Sequence, residues 1–250
     1  MVRRNLLVQS RNPGHWFLLI VLPLVDGLLF GSIGVAFGEG DAPVQLLVTG
    51  ILLFHLIWQL TLAGSLGLLE EVWTRNVMNL IATPLTEREF MGSLGLVGLL
   101  RTIVSTAVIA VVGIGFYAVA PDTAGWVLVP SAAILLLFGW AVTMFVIALT
   151  LQYGDSAEVF SWGTLVLLMP LSGFFYPVES LPTVLEVVAR SIPLTYVFEA
   201  VREGLATGTV AWGPLGIAAA GTLALLLLSG WFLDRQMRRF RIQGWVTRFT

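Results

Sequence analysis

The chain is built of six long apolar runs, separated by short islands of charged residues. Each run holds about 18 to 30 residues, and a helix needs ~20 residues to cross ~30 Å of hydrocarbon. The pattern therefore predicts an all-α polytopic membrane protein with six transmembrane helices in a single domain over residues 1–250. The predicted spans are His15–Phe37, Val44–Leu69, Phe90–Val119, Trp126–Leu151, Val159–Tyr176 and Ala211–Leu233.

Composition excludes several classes of protein. Hydrophobic residues make up 57% of the chain and charged residues 11%, and the mean hydropathy is +0.91. A soluble domain is ~25% charged, so a soluble enzyme is excluded. The chain has no cysteine and two distant histidines, which leaves no thiolate or dense histidine metal site. All 13 basic residues are arginine, so the lysine that a P-loop ATPase needs is missing.

Arginine placement predicts the orientation. In a six-span topology ten arginines fall on one side, which the positive-inside rule makes the cytoplasm. Both termini are then cytoplasmic. The first apolar run is longer than the ~7–15 residues of a signal-peptide core, so we expect it to be an uncleaved span. The ten arginines are Arg3, Arg4, Arg11, Arg75, Arg88, Arg235, Arg238, Arg239, Arg241 and Arg248.

The predicted loop between the second and third spans reads EEVWTRNVMNLIATPLTEREF. Apolar residues at near-helical spacing predict a short amphipathic cytoplasmic helix over 70–85, and Thr83-Pro84 should end it. Thr86 and Glu89 form a capping-box pattern that starts the third span. Two interpretations stay open: a helix that rests on lipid headgroups, or a lever that docks into a partner protein.

A proline-rich segment lies between the fifth and sixth predicted spans. Pro177, Pro182 and Pro193 divide it, and two short helices are predicted at Leu181–Ser191 and Thr195–Ala206. Each would be about 16–18 Å long, too short to span the membrane. The segment is either a helical hairpin that re-enters the outer leaflet or an ordinary folded extracellular loop. Each predicted helix carries a charge pair, Glu186 with Arg190 and Glu199 with Arg202.

Two formal charges fall inside apolar runs, Asp26 in the first span and Arg101 in the third. His55 and Gln59 lie at a similar predicted depth in the second span. A charge in hydrocarbon costs at least ~2.5–3.5 kcal/mol, so each should find a partner. We predict a polar cluster in which Asp26 pairs with Arg101, directly or through Gln59 or water. The alternative is that Arg101 extends to the inner interface and Asp26 faces a wet cavity.

Several short motifs together resemble those of one family. They are RNP at residues 11–13, ATPLTEREF at 82–90, SGFFYP at 172–177, the following LP and PLTY, and a Glu-x-x-Arg at Glu199 and Arg202. The chain resembles the type 2 ABC exporter permeases over almost its whole length. These are the membrane subunits that export drugs, polysaccharides or lipid-linked glycans.

The resemblance implies a permease dimer, with a homodimer expected, coupled to two separately encoded ATP-binding subunits that bind ATP and Mg. It implies an interfacial helix over 1–14 along the inner leaflet, a re-entrant hairpin over 177–206 and a cytoplasmic tail over 234–250 in a bacterial or archaeal plasma membrane. No catalytic residue, metal or nucleic acid is expected. The implied coupling residues are Glu70, Glu71, Val72, Trp73, Arg75, Met78, Thr83, Pro84 and Leu85. The implied outer-gate residues are Phe174, Phe175, Tyr176, Pro177, Pro182, Pro193, Tyr196, Glu199 and Arg202.

Other functional classes were weighed on the same residues. An intramembrane serine protease needs a serine within reach of a histidine base, and His55 could face one. However, SGFFYP lacks the glycine two positions before its serine that a G-x-S-G site has. An ABC importer permease would carry a cytoplasmic EAA followed by glycine, which is missing. A secondary transporter or channel that works without an ATPase stays open, with Asp26 and Arg101 as its only marks.

Overall fold

The computed structural model describes residues 2–37, 40–74, 76, 87–119, 125–154 and 158–243, and every regular element within these ranges is helical. The all-α fold class is thus confirmed. In chain order the helices are α1 (Val2–Arg11), α2 (Pro13–Trp16), a π-helical turn (Phe17–Val21), α3 (Leu22–Phe37), α4 (Ala42–Trp73), α5 (Glu87–Tyr117), α6 (Leu128–Tyr153), α7 (Glu158–Leu171), α8 (Thr183–Arg190), α9 (Pro193–Thr207) and α10 (Trp212–Gln243).

Within the described ranges, five stretches are long and apolar enough to cross a membrane: Pro13–Ala36, Ala42–Glu71, Glu89–Tyr117, Gly125–Tyr153 and Trp212–Arg239. The sixth predicted span, Val159–Tyr176, corresponds to α7, which has only 14 residues and a length of about 21 Å. The helix ends at Leu171 because the chain turns at Gly173, whose φ is +75°. The count of six spans is therefore not confirmed and stays a prediction.

Helix α4 forms the centre of the bundle. Its apolar stretch is 78% buried, whereas those of α3 and α10 are 28% and 22% buried. Small residues let its neighbours approach closely: a Cβ at Gly64 would lie 2.1 Å from Thr143 of α6, and one at Gly98 of α5 would lie 2.7 Å from Leu60. Side chains of α4 therefore meet groups from α3, α5, α6 and α7.

Aromatic rings fix the chain after α7 to the half of α4 that is remote from α1. Phe174 is fully buried, and its ring centre lies 5.4 Å from that of Phe54 on α4 and 5.5 Å from that of Phe198 on α9. Phe30 of α3 contacts both Phe174 and Phe175, at 5.7 and 4.9 Å. Offset and edge-on ring pairs add to the free energy gained by burial. The SGFFYP motif is thus a packing element of the fold.

Two predicted boundaries differ from the structure. Residues 70–73 continue α4, whereas the sequence pattern placed them at the start of a separate short helix. The rest of that predicted helix, at residue 75 and residues 77–86, lies outside the described residues. At the other end of the chain, α10 continues past Leu233 to Gln243, so the predicted tail begins as part of the last long helix.

Candidate functional site

The C-terminal end of α4, which the predicted topology makes its inner end, is bound to the N-terminal segment. Glu71 is 3% exposed, forms an ion pair with Arg4 of α1, and accepts a hydrogen bond of 2.6 Å from the side-chain amide of Asn76. One residue earlier, Glu70 Oε1 lies 2.9 Å from His15 Nε2. Both glutamates were predicted to contact a partner ATPase. That role stays a prediction; in the structure their carboxylates face α1 and α2 and position the inner end of α4.

The other predicted coupling residues divide into two groups. Trp73 is 46% exposed at the last turn of α4 and is available to a partner. Val72 lies on the same turn, with only its backbone described. Arg75, Met78, Thr83, Pro84 and Leu85 lie outside the described residues.

A second polar cluster lies halfway along α4 and joins three helices. His55 Nε2 lies 3.0 Å from Asp26 Oδ2 of α3, and His55 Nδ1 lies 2.9 Å from Ser105 Oγ of α5. With an ionised Asp26, which can only accept hydrogen bonds, the neutral tautomer that satisfies both contacts carries its hydrogen on Nε2 and accepts from the serine hydroxyl at Nδ1. Ser105 was not predicted from the sequence.

One turn closer to the inner end, the Gln59 side chain forms hydrogen bonds with two neighbouring segments, α5 and the π-helical turn. Arg101 Nε of α5 donates to Gln59 Oε1 at 3.3 Å, and Gln59 Nε2 donates to the Leu18 carbonyl at 2.7 Å. Leu18 lies in the π-helical turn, a kind of distortion that is common at functional sites. Arg101 is 3% exposed, so its side chain lies inside the packed helices. Each charge therefore finds a polar partner on α4.

Asp26 and Arg101, which were predicted to pair directly or through Gln59 or water, do not pair directly. Among the described side chains, no hydrogen bond or ion pair joins the two, because α4 supplies a different residue to each. The antiparallel register of α4 and α5 explains the arrangement. Gln59 meets Arg101, and one turn along each helix His55 meets Ser105. Pairing Gln59 with Arg101 in the sequence would have located Ser105 by this register.

His55 faces a serine, as a serine protease would require, but the site is not built for hydrolysis. Ser105 is completely buried, so no substrate reaches its hydroxyl. It also lies in the middle of α5, where backbone N–H groups are committed to the helix and cannot stabilise an oxyanion. The three side chains therefore form a buried polar link between helices.

Two short helices form the segment after α7, as predicted. They are α8 and α9, and the chain between them breaks at Ser191 and Ile192. Glu186 Oε1 accepts from Arg190 Nε at 2.9 Å, which confirms the first predicted charge pair, and Glu179 Oε1 accepts from Arg190 Nη2 at 2.7 Å. A backbone hydrogen bond and the Arg190 guanidinium lower the pKa of Glu179, and the hydrogen bond to Glu186 raises the pKa of Arg190.

The second predicted charge pair, Glu199 with Arg202, does not form among the described side chains. Arg202 Nη2 donates instead to the carbonyl of Gly173, where the chain turns after α7. The arginine is thereby held near a cavity of about 260 Å³. The polar residues that line this cavity are Glu179, Thr195, Glu199, Arg202 and Glu203.

The remaining predicted outer-gate residues differ in how deeply they are buried. Phe174 is buried, Phe175, Tyr176, Pro193 and Tyr196 are half-buried, and Pro177 and Pro182 are exposed. Tyr176 donates to the Pro170 carbonyl at 2.8 Å. Helix α9 is largely buried against its neighbours, whereas α8 exposes an apolar face made of Val184, Leu185, Val187 and Val188.

Comparison with known proteins gives two findings. A sequence model of the family described as ABC-2 type transporter matches residues 1–206. Two relatives, both named capsule polysaccharide export inner-membrane protein BexB of Haemophilus influenzae, are each 33% identical to the chain, over 112 and 111 residues. These matches cover 42% and 41% of this chain and 42% of the length of each relative.

Proposed function

The chain belongs to the ABC-2 type transporter family, and on that basis we propose that it is the membrane-spanning permease subunit of an ATP-driven ABC exporter. The observation that carries the proposal is the family match over residues 1–206, which includes all of the helices up to α9. Five helices long and apolar enough to cross a membrane support a permease role. ATP and Mg would be bound by separate partner subunits.

The proposed cargo is a glycan. The two relatives are named for capsule polysaccharide export, and among drug-like, lipid-linked and glycan cargoes this favours a polysaccharide or a lipid-linked glycan. The relatives are inner-membrane proteins by name, so we place this chain in the same kind of membrane with both termini cytoplasmic. The match covers less than half of each relative, so cargo and location come from likeness alone.

The proposed assembly is a permease homodimer with two ATP-binding subunits and surrounding lipid. The low burial of α3 and α10 within one chain supports it, because apolar surface of this kind is covered by lipid or by a second copy. Helix α1 would lie along the inner leaflet, where its arginines Arg3 and Arg11 can meet anionic headgroups. The tail after residue 233 would lie at the same surface.

Coupling would pass through the inner end of α4 and residues 75–86. Trp73 is exposed there, whereas Glu70 and Glu71 hold this end against the N-terminal segment. We propose that closure of the ATPase dimer moves this end and that the permease seam opens outward in response. The exposed valines of α8 support re-entry of the α8–α9 hairpin into the outer leaflet, since such a face is stable against lipid.

The proposal is tested by purifying the chain from cells that also express the candidate ATP-binding subunit. We expect a complex with two copies of each, seen by native mass spectrometry, and glycan export that stops when the ATPase is inactivated. Glycan transport by the chain alone, driven by an ion gradient, would overturn it in favour of a secondary transporter.

A further inference from the structure

The cluster of Asp26, His55 and Ser105 has a property that family membership does not explain. His55 and Ser105 are 1% and 0% exposed, and the Asp26 side chain is 21% exposed. Both ring nitrogens of His55 have partners, at 3.0 Å toward the carboxylate and 2.9 Å toward the hydroxyl. An imidazole with a partner at each nitrogen can exist in two protonation states without losing a hydrogen bond.

The hydrogen bonds of the His55 ring can be assigned in both protonation states. With a neutral ring, the Nε2 hydrogen goes to Asp26, and Nδ1 accepts from the Ser105 hydroxyl. With a second proton on the ring, Nδ1–H donates to Ser105 Oγ, and the serine hydrogen turns to a backbone carbonyl of its own helix, a common bond for a helical serine. The contact with Asp26 then joins two opposite full charges. Neither state leaves a buried donor or acceptor without a partner.

The charged groups around His55 leave Asp26 as its counter-ion. Helix α3 contributes only Asp26, and α5 contributes Arg101, which is bonded to Gln59. The titratable side chain of α6 is Tyr153, at its last residue, and that of α7 is Glu158, at its first residue. Helix α9 carries Glu199, Arg202 and Glu203, which line the cavity next to residues 177–179, and Tyr196, which does not line it.

We propose that Asp26, His55 and Ser105 form a proton-binding site inside the helix bundle, and that its occupancy sets how firmly α3 is held against α4. A bound proton converts a hydrogen bond into an ion pair in surroundings of low dielectric constant, which strengthens the contact. The other side-chain hydrogen bonds that join α3 and the π-helical turn to neighbouring helices are between uncharged groups. They are Gln59 to the Leu18 carbonyl, Tyr117 to the Leu28 carbonyl, and Ser32 to Tyr117.

The proposal goes beyond the exporter function and does not depend on it, because the site lies within one chain. The first test is nitrogen NMR of ¹⁵N-histidine-labelled protein in lipid nanodiscs. His15 is the only other histidine, so His15→Gln leaves the two ring nitrogens of His55 alone in the spectrum. We expect one protonated and one unprotonated nitrogen at about pH 9, and two protonated nitrogens at about pH 5, limits that bracket the usual range of histidine.

Asp26→Asn is the matched variant for this test. It keeps the size and an acceptor oxygen but removes the negative charge, so the doubly protonated signal should be lost over the same pH range. A ring that stays neutral down to about pH 5 in the chain with Asp26 would overturn the proposal. Labelling of Ser105 by a fluorophosphonate would overturn it too, because that would make the serine an accessible nucleophile.

The second test measures how tightly α3 is held against the rest of the bundle. The cysteine-free chain accepts spin labels at Val35→Cys on α3 and Val129→Cys on α6, both exposed positions. We expect the distance distribution between the labels to narrow from about pH 9 to about pH 5 in the parent and to be insensitive to pH in Asp26→Asn. Tyr117→Phe is the control, because it removes uncharged bonds and should broaden the distribution equally at both pH values. An unchanged distribution in the parent would overturn the link to α3.

Discussion

Helix α4 carries two polar clusters, and they compensate charged side chains in different ways. At its inner end, Arg4 forms an ion pair with Glu71, and the His15 ring contacts the Glu70 carboxylate. Halfway along the helix, Arg101 meets the uncharged Gln59, and Asp26 meets the His55 ring. The direct pair with the half-exposed Arg4 compensates the buried Glu71 carboxylate for the hydration that it has lost. Inside the bundle, each charged side chain instead meets a polar side chain of α4 that carries no permanent charge.

The largest expected effect comes from removing the partner of the interior arginine. Gln59→Leu should lower the free energy of unfolding by about 2–3 kcal/mol, because it leaves the Arg101 guanidinium without its acceptor in apolar surroundings. Gln59→Leu with Arg101→Leu should cost less than the single change, since both polar groups are gone. Thermal unfolding in nanodiscs measures both. A double variant that unfolds below the single variant would mean that Gln59 is not the residue that satisfies Arg101.

The inner cluster should respond to charge reversal and recover when both charges are exchanged. Glu71→Arg should cost about 1.5–2 kcal/mol, because it breaks a charged hydrogen bond at a buried position. It should also reduce the glycan exported per ATP hydrolysed, since the inner end of α4 loses its fixed position. Arg4→Glu combined with Glu71→Arg should restore both measurements. Failure of the exchange to restore export, with stability recovered, would show that Glu71 itself contacts the ATPase.

At the same end of α4, Trp73 tests whether a side chain contacts the ATPase rather than only positioning the helix. Its side chain is exposed, so Trp73→Ala should change stability by no more than about 0.5 kcal/mol. If Trp73 contacts the ATPase, export per ATP should still fall. Measuring unfolding and coupling on one preparation, beside Glu71→Arg, distinguishes the two effects. Normal coupling in Trp73→Ala would mean that this turn of α4 rests on lipid.

The smallest effect should come from the ion pair at the opposite end, where water is freely available. The folded state lowers the pKa of Glu179, so its contribution to stability is present above the ordinary glutamate value of 4.5 and is lost as the pH falls through the lowered value. Proteolysis near α8 should therefore increase on acidification below about pH 4.5. Glu179→Gln should remove that dependence and leave the interior cluster unchanged.

The sequence predicted the helical class and most helix positions, because long apolar runs and proline positions act locally. It also named Asp26, His55, Gln59 and Arg101 as members of one cluster. It paired Asp26 with Arg101 rather than with His55, because depth along a helix can be counted from sequence, whereas the rotation of each helix about its axis, which decides the partner, cannot. The roles of Arg4 and His15 were missed for the same reason, since their partners are 67 and 55 residues away and no periodicity links them.

The order of the interior contacts along the chain also sets an order during synthesis. His55 follows Asp26 by 29 residues, and Arg101 follows Gln59 by 42. At about 5–20 residues per second, the aspartate waits roughly 1.5–6 s for its histidine, whereas the arginine enters a membrane in which Gln59 has been present for roughly 2–8 s. The positive charge, which is costly in hydrocarbon, thus never waits for its partner. The first two spans can settle as a pair before the third arrives to complete the bundle interior.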